Sequence, residues 1–178
     1  MYLRPYKKED AGTILSWCEN ETVFRKWTSD RYDHYPITEE DMNRKYFDLN
    51  GDCAEADNFY PMTACDESGI VGHFILRYVN GNRRSLRVGF VIVDACKRGS
   101  GLGRKMVRLA MDYAFRIADA AQLSIGVFEN NQPAYHCYKA SGFHDVPQES
   151  GEICELFGEK WRILELSVNR EEYFAGQE

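Results

Sequence analysis

The chain has 178 residues, of which 44% are hydrophobic and 28% charged, with a formal net charge of -6 and an isoelectric point near 5.3. That length suits one domain with a real core. The acidic balance disfavours non-specific nucleic-acid binding, which needs basic surface to release counterions from phosphate. Negative charge is compatible with a cationic substrate such as an amine, although solubility alone accounts for it more simply.

In chain order, "MYLRPY" reads as a short first strand. Residues 9–27 place Ile14, Leu15, Trp17 and Cys18 on a helical face, which predicts a helix there. Thr38 with Asp41 three residues on forms an approximate capping box, and a second helix should open at that point. "NFYPMTACD" and "GIVGHFILRYV" flank the turn "DESG" and predict a hairpin. "SLRVGFVIVD" follows a turn at Asn80–Asn82, alternates at first, and is apolar on both faces from Phe90 to Val93. That pattern predicts an interior strand of a covered sheet, and Gly89 within it suggests a bulge or a close backbone approach. The clearest helix spans 101–119, with Leu102, Met106, Ala110, Ala114 and Ile117 as its apolar stripe. "QLSIGVFEN" predicts a strand and "NQPAYHCYKASG" a short helix capped by Gly142. Two late strands, near "FHDVPQES" and "KWRILELSV", complete a mixed α/β (α+β) domain.

Six cysteines, at 18, 53, 65, 96, 137 and 154, show no CxxC spacing, and the four histidines form no ligand motif with them. No zinc site, other metal or disulfide framework is expected. Scattered thiols fit a reducing cytosol. The N-terminal segment has no apolar core of signal-peptide length, and no run approaches the ~20 apolar residues of a membrane span. A cytoplasmic protein is therefore expected, with no membrane partner.

The stretch "KRGSGLGRKM" sits between the apolar strand and the long helix. Backbone N–H groups at a helix start converge on one point, where the helix dipole adds positive character. Gly99, Gly101 and Gly103 permit close approach and positive φ, while Arg98, Arg104 and Lys105 add formal charge. The turn therefore suits a phosphate. Two familiar patterns fail: both the Walker A loop and the dinucleotide fingerprint, counted from Gly99, require glycine at 104, where Arg104 stands. A third pattern, (Q/R)xxGxG/A, is met in full by Arg98, Gly99, Ser100, Gly101, Leu102 and Gly103. Past the next strand, Asn131, Ala134, Tyr138, Gly142 and Phe143 fill the pattern N-x-x-A-x-x-x-Y-x-x-x-G-F.

These two motifs, in this order and spacing, resemble those of the GNAT superfamily of N-acetyltransferases, strongly over residues 69–146. The resemblance implies a single GNAT-fold domain over 1–178, with a mixed sheet of about six or seven strands and helices on both faces. Acetyl-CoA would lie where two parallel strands splay apart. Pantetheine would run beside Val91, Ile92 and Val93, the pyrophosphate on residues 98–104, and Asn131 and Ala134 beside the pantetheine arm. Tyr138 would protonate the leaving thiolate, being itself protonated at neutral pH. Tyr135 shares its helix face. Cys137 next to it fits packing better than an acyl-enzyme role.

The family's strand glutamate, a general base in several members, has no counterpart between Leu86 and Val93. Asp94, at the strand's end, reads as structural. Glu129, His73, His34 and an ordered water chain are the remaining candidates for the base. The expected reaction is direct acetyl transfer to a small-molecule or peptide amine, and a homodimer stays open. The rival reading is a CoA-binding sensor without turnover. Trp17, Phe24, Trp27, Tyr32 and Tyr35 suit inter-helix packing better than a cage for a cationic amine.

Overall fold

The computed structural model describes residues 1–147 and 151–176. Its elements run β1 (Tyr2–Pro5), α1 (Ala11–Ser16), α2 (Glu21–Thr28), α3 (Glu39–Asn43), β2 (Tyr60–Asp66), β3 (Gly69–Val79), β4 (Asn82–Val93), α4 (Leu102–Asp112), β5 (Gln122–Phe128), α5 (Gln132–Ser141), β6 (His144–Asp145), β7 (Ile153–Leu156), β8 (Glu159–Asn169) and α6 (Arg170–Ala175). The strands form one mixed sheet in the order β1-β2-β3-β4-β5-β8-β6, with β7 also paired to β8. All pairings are antiparallel except β4 with β5. The sheet thus has eight strands where about six or seven are expected, because β7, which the sequence reading does not give, pairs with β8 at its far end. The expected strand over 143–150 is represented by β6 alone, and residues 148–150 lie outside the described residues.

Helices cover both faces. On one, α4 and α5 bury Leu102, Met106, Val107, Ala110 and Tyr138 against Leu86, Val88, Leu123 and Ile125. On the other, α1 to α3 bury Ile14, Phe24, Trp27 and Met42 against Ile75 and Ile92. The aromatics of residues 17–35 belong to this second core, as packing requires; Trp17, Phe24, Trp27 and Tyr32 are buried.

The helix expected over 9–27 is two helices. Asn20 breaks it: extended at φ -162°, its side chain accepts from the Val23 amide (3.0 Å) and caps α2. The long helix keeps its α-helical turn only to Asp112, widens over Tyr113–Ile117, and leaves Ile117 71% exposed, so Ile117 drops out of the predicted stripe. The Thr38–Asp41 box forms as predicted, and Gly142 ends α5 at φ +111°.

One irregularity positions everything that follows. β4 pairs with β5 only from Ser85–Gln122 to Val88–Ile125. Beyond that, β4 stays with β3 as far as Val93 opposite Gly72, while β5 stays with β8 as far as Phe128 opposite Ile163. The two parallel strands diverge, and a wedge opens between them. At the same place β4 bulges: His73 faces Ile92 and Ile75 faces Gly89, so Phe74 alone spans Phe90 and Val91. The strain sits on Phe90, at φ +50°, and not on Gly89, where the sequence suggests it. Phe90 and Val91 are only half-buried, so the strand is not covered on both faces here.

Candidate functional site

Two cavities meet at the wedge. The larger, of about 640 Å³, is walled by Val91, Ile92 and Val93 of β4, by Arg98, Gly99, Gly101, Gly103 and Arg104 of the glycine turn, and by Asn131, Ala134 and Tyr138 of α5 and its start. Eleven of the thirteen residues anticipated as cofactor-binding therefore come together. Ser100 and Leu102 are the other two, and their side chains face elsewhere. The Ser100 hydroxyl donates to the Lys97 carbonyl (2.6 Å), and Leu102 is buried in the core. Either could contribute only its main chain.

The glycine turn is built as the sequence suggests. Gly99 and Gly101 have φ of +79° and +80°, a region costly for any residue with a side chain. Gly103 has ordinary backbone angles, but a Cβ there would lie 3.4 Å from the Cys137 sulfur. The chain then enters α4, whose first backbone bond from this turn is Lys105 N–H to Gly101 carbonyl (3.1 Å). Among the described residues, the N–H groups of Gly101, Leu102, Gly103 and Arg104 find no acceptor. Four unpaired amides at the mouth of an 11-residue helix, beside a cavity lined by Arg98 and Arg104, fit an anionic diphosphate. Arg98 is itself tethered to α1 and the segment after it, donating to the Trp17 carbonyl (2.9 Å) and to Glu19 (3.1 Å).

The smaller cavity, of about 390 Å³, shares Lys26, Trp27, Val91, Asn131 and Tyr138 with the larger one. Its remaining wall comes from the α2 face of the sheet, including Arg77, Arg87, Gly89 and Glu165, and from Cys154 of the β7–β8 hairpin. Two contacts from α2 fix the junction: the Trp27 indole donates to the Phe90 carbonyl (2.7 Å), and the Lys26 ammonium donates to the Asn130 carbonyl (3.0 Å). Lys26, Arg77, Arg87 and Glu165 were not singled out for this site by sequence reasoning, whereas Trp27 was weighed there as core packing against an amine cage. On β3, β4 and β8, such charged residues read as ordinary solvated positions of alternating strands.

Tyr138 is only 6% exposed, and burial raises its phenol above the ordinary value, so it stays protonated through the neutral range. Among the described residues its hydroxyl makes no hydrogen bond to the protein. Tyr135 points away and donates to Asp145 (3.0 Å). Burial likewise raises the Cys137 thiol, with Arg104 opposing. It is therefore held protonated, which suits packing and not nucleophilic attack.

The residues considered as general base lie elsewhere. His73 is fully buried against Tyr46, whose hydroxyl is 2.8 Å from Nε2, and burial pushes its pKa down to about 3. His34 lies 3.7 Å from Asp41 on the surface of the α3 region. Neither they nor Glu129 line either cavity.

The family model of the acetyltransferase (GNAT) domain matches residues 1–144. The spermidine N(1)-acetyltransferase of Escherichia coli (strain K12) is 25% identical over 177 residues, covering 97% of this chain and 88% of that protein. Among solved structures, spermidine N-acetyltransferase from Vibrio cholerae in complex with CoA and spermine superposes with a TM-score of 0.79 at 20% identity, over 97% of this chain and 96% of the other. A dodecameric form of the Vibrio cholerae enzyme gives a TM-score of 0.74 at 18% identity, over 99% and 97%.

Proposed function

The chain belongs to the acetyltransferase (GNAT) family and is an acetyl-CoA-dependent N-acetyltransferase; from this premise we propose that acetyl-CoA occupies the larger cavity, the amine occupies the smaller one, and Tyr138 serves the transfer between them. One observation carries the reading: Tyr138 lies on the wall shared by both cavities. A group there can reach the leaving sulfur from one side while the amine approaches from the other. The unpaired amides of 101–104, with Arg98 and Arg104, support the diphosphate of the carrier. The exposed edge of β4 at Val91 to Val93 supports strand-like hydrogen bonds to its pantetheine arm.

The amine must arrive with its lone pair free, and it attacks the acetyl carbonyl carbon. Negative charge then builds on the carbonyl oxygen, where an amide freed by the Phe90–Val91 bulge can stabilise it. As the C–S bond breaks, Tyr138 donates its proton to the departing thiolate and takes up in exchange the proton that the acetylated nitrogen sheds, so no phenolate accumulates. The bulge is held in place by the Trp27 bond to the Phe90 carbonyl. Strain at a non-glycine residue is tolerated where surrounding contacts enforce it. Direct transfer fits better than an acyl-cysteine route, because Cys137 is kept as the neutral thiol.

The names of the relatives make polyamines an acceptor class to test, and the peptide amine remains a second. The deciding measurement is release of CoA from acetyl-CoA with a panel of amines, followed by mass analysis for a 1:1 acetylated product. Tight binding of acetyl-CoA without acceptor-dependent release would favour the sensor reading.

A further inference from the structure

The smaller cavity has an unusual charge balance for the binding site of a polycation. Its walls carry Lys26, Arg31, Arg77 and Arg87 against Asp30, Glu152 and Glu165. Most of these charges are already spent. Arg87 and Glu165 form a two-point pair across β4 and β8 (Nη2 to Oε2 3.0 Å). Arg31 lies 3.9 Å from Asp30 on the surface, and the Lys26 ammonium is held by the Asn130 carbonyl.

Arg77 differs. It sits on β3 directly opposite Arg87, on the same face of the sheet. It is half-buried, and among the described residues it makes no hydrogen bond or ion pair. Burial and the neighbouring Arg87 both work against its charge, with Cys53 and Glu55 opposing more weakly. A guanidinium does not lose its proton in such a place. It needs an anion, and its planar fork is shaped for a carboxylate.

The geometry points to an acceptor that is a primary amine carrying a carboxylate at its far end, with that carboxylate bound by Arg77. The inference rests on the acetyltransferase reading and on the smaller cavity as the amine's side of the wedge. Distance along the strand sets the length of such a molecule. From Arg87, opposite Arg77, to Phe90 at the bulge is three residues, or about 10 Å at ~3.3 Å per residue. An α-amino group beside its own carboxylate is too short to span this. An extended ω-amino acid spans most of it, with the amine at the wedge and the carboxylate at the arginine. A polyamine of equal length would instead bring an ammonium to two neighbouring guanidinium groups, of which only Arg87 has a carboxylate partner, Glu165.

The test uses a matched pair, 6-aminohexanoate and 1,6-diaminohexane, with spermidine as a third acceptor, read as acetyl-CoA-dependent CoA release. The wild-type kcat/KM should be at least tenfold higher for the aminocarboxylate than for the diamine. Arg77→Gln should remove that preference and Arg77→Glu should reverse it, both with unchanged acetyl-CoA affinity because Arg77 lies outside the larger cavity. Retained acetyl-CoA binding also certifies that each variant is folded. Wild-type preference for the diamine or spermidine, or a preference that survives both substitutions, overturns the inference and leaves the acetyltransferase reading standing. No release with any of the three acceptors overturns the inference, and no release with any amine at all overturns the acetyltransferase reading together with it.

Discussion

At the scale of single residues, Tyr138 and His73 are both buried rings with a polar tip, and their surroundings give them opposite tasks. Tyr138 has its hydroxyl unbonded at the junction of two cavities and keeps its proton because burial disfavours the phenolate. Tyr138→Phe removes only that proton donor. We expect turnover to fall at least tenfold, about 1.4 kcal/mol or more in the barrier, with acetyl-CoA affinity held within twofold by titration calorimetry. Unaltered turnover would take Tyr138 out of the chemistry. His73 has the opposite setting, closed in by Tyr6, Trp27 and Tyr46. Burial pushes its pKa down to about 3, with the Asp10 charge opposing. In the unfolded chain it titrates near ~6.5. Below that pH the unfolded state gains a proton that the folded state refuses, so stability must fall as pH drops, and the loss continues until the folded pKa is reached. Between pH 6.5 and 5 the slope approaches ~1.4 kcal/mol per pH unit. Urea melts across that window should show it in the wild type, and His73→Phe should flatten it. An equal slope in both proteins would assign the acid sensitivity elsewhere.

At the scale of elements, the turn before α4 makes the sharpest prediction. Gly101 has φ +80° with no atom near its absent Cβ, so a substitution there is opposed by backbone strain and not by crowding. Gly101→Val should cost about 1–2 kcal/mol of stability and turn the amides of 102–104 away from the cavity. CoA binding should weaken at least tenfold while the circular dichroism spectrum keeps its shape; normal affinity in the folded variant would contradict the diphosphate site. This turn, α4 and α5 were legible in the sequence because their signals are local: glycine spacing, a stripe at helical period, a C-cap. The break between α1 and α2 was less so, since apolar residues run through it and only the Asn20 cap divides them. The bulge was expected at Gly89 but falls on Phe90, because the register of β3, a long-range pairing, decides which residue is extruded. Arg77 and Glu165 were illegible for the same reason: they come to line one cavity only once β3, β4, β5 and β8 lie side by side, and nothing in their own segments distinguishes them from solvated strand positions. The Thr38 box shows the contrasting case, in which four consecutive residues suffice to state the geometry.

At the scale of the whole molecule, the family match ends at residue 144, but the sheet does not. β8 lies between β5 and β6 and pairs with β5 at seven positions, from Gln122–Asn169 to Phe128–Ile163. It also carries Leu166 and Val168 into the core beneath α4, where they are 0% and 2% exposed. Each such side chain contributes about 1.5–3 kcal/mol by burial, against a total stability on the order of 5–15 kcal/mol for a domain. Loss of β8 would also leave β5, the inner wall of the wedge, as an open edge with unpaired backbone groups. The tail is thus a structural part of the same unit as the two motifs and not an appendage to it. It supplies Glu165 and Cys154 to the smaller cavity as well. A chain ended after residue 144 should therefore fail to fold, giving no cooperative thermal transition and no CoA binding. The full chain should melt in one transition, with far-ultraviolet dichroism and tryptophan fluorescence superimposable. Trp17 and Trp27 report on the α1–α3 core and Trp161 on the β7–β8 hairpin, so fluorescence samples both ends of the sheet. Two separated transitions, or a truncated chain that melts cooperatively and still binds CoA, would show that the first 144 residues stand alone.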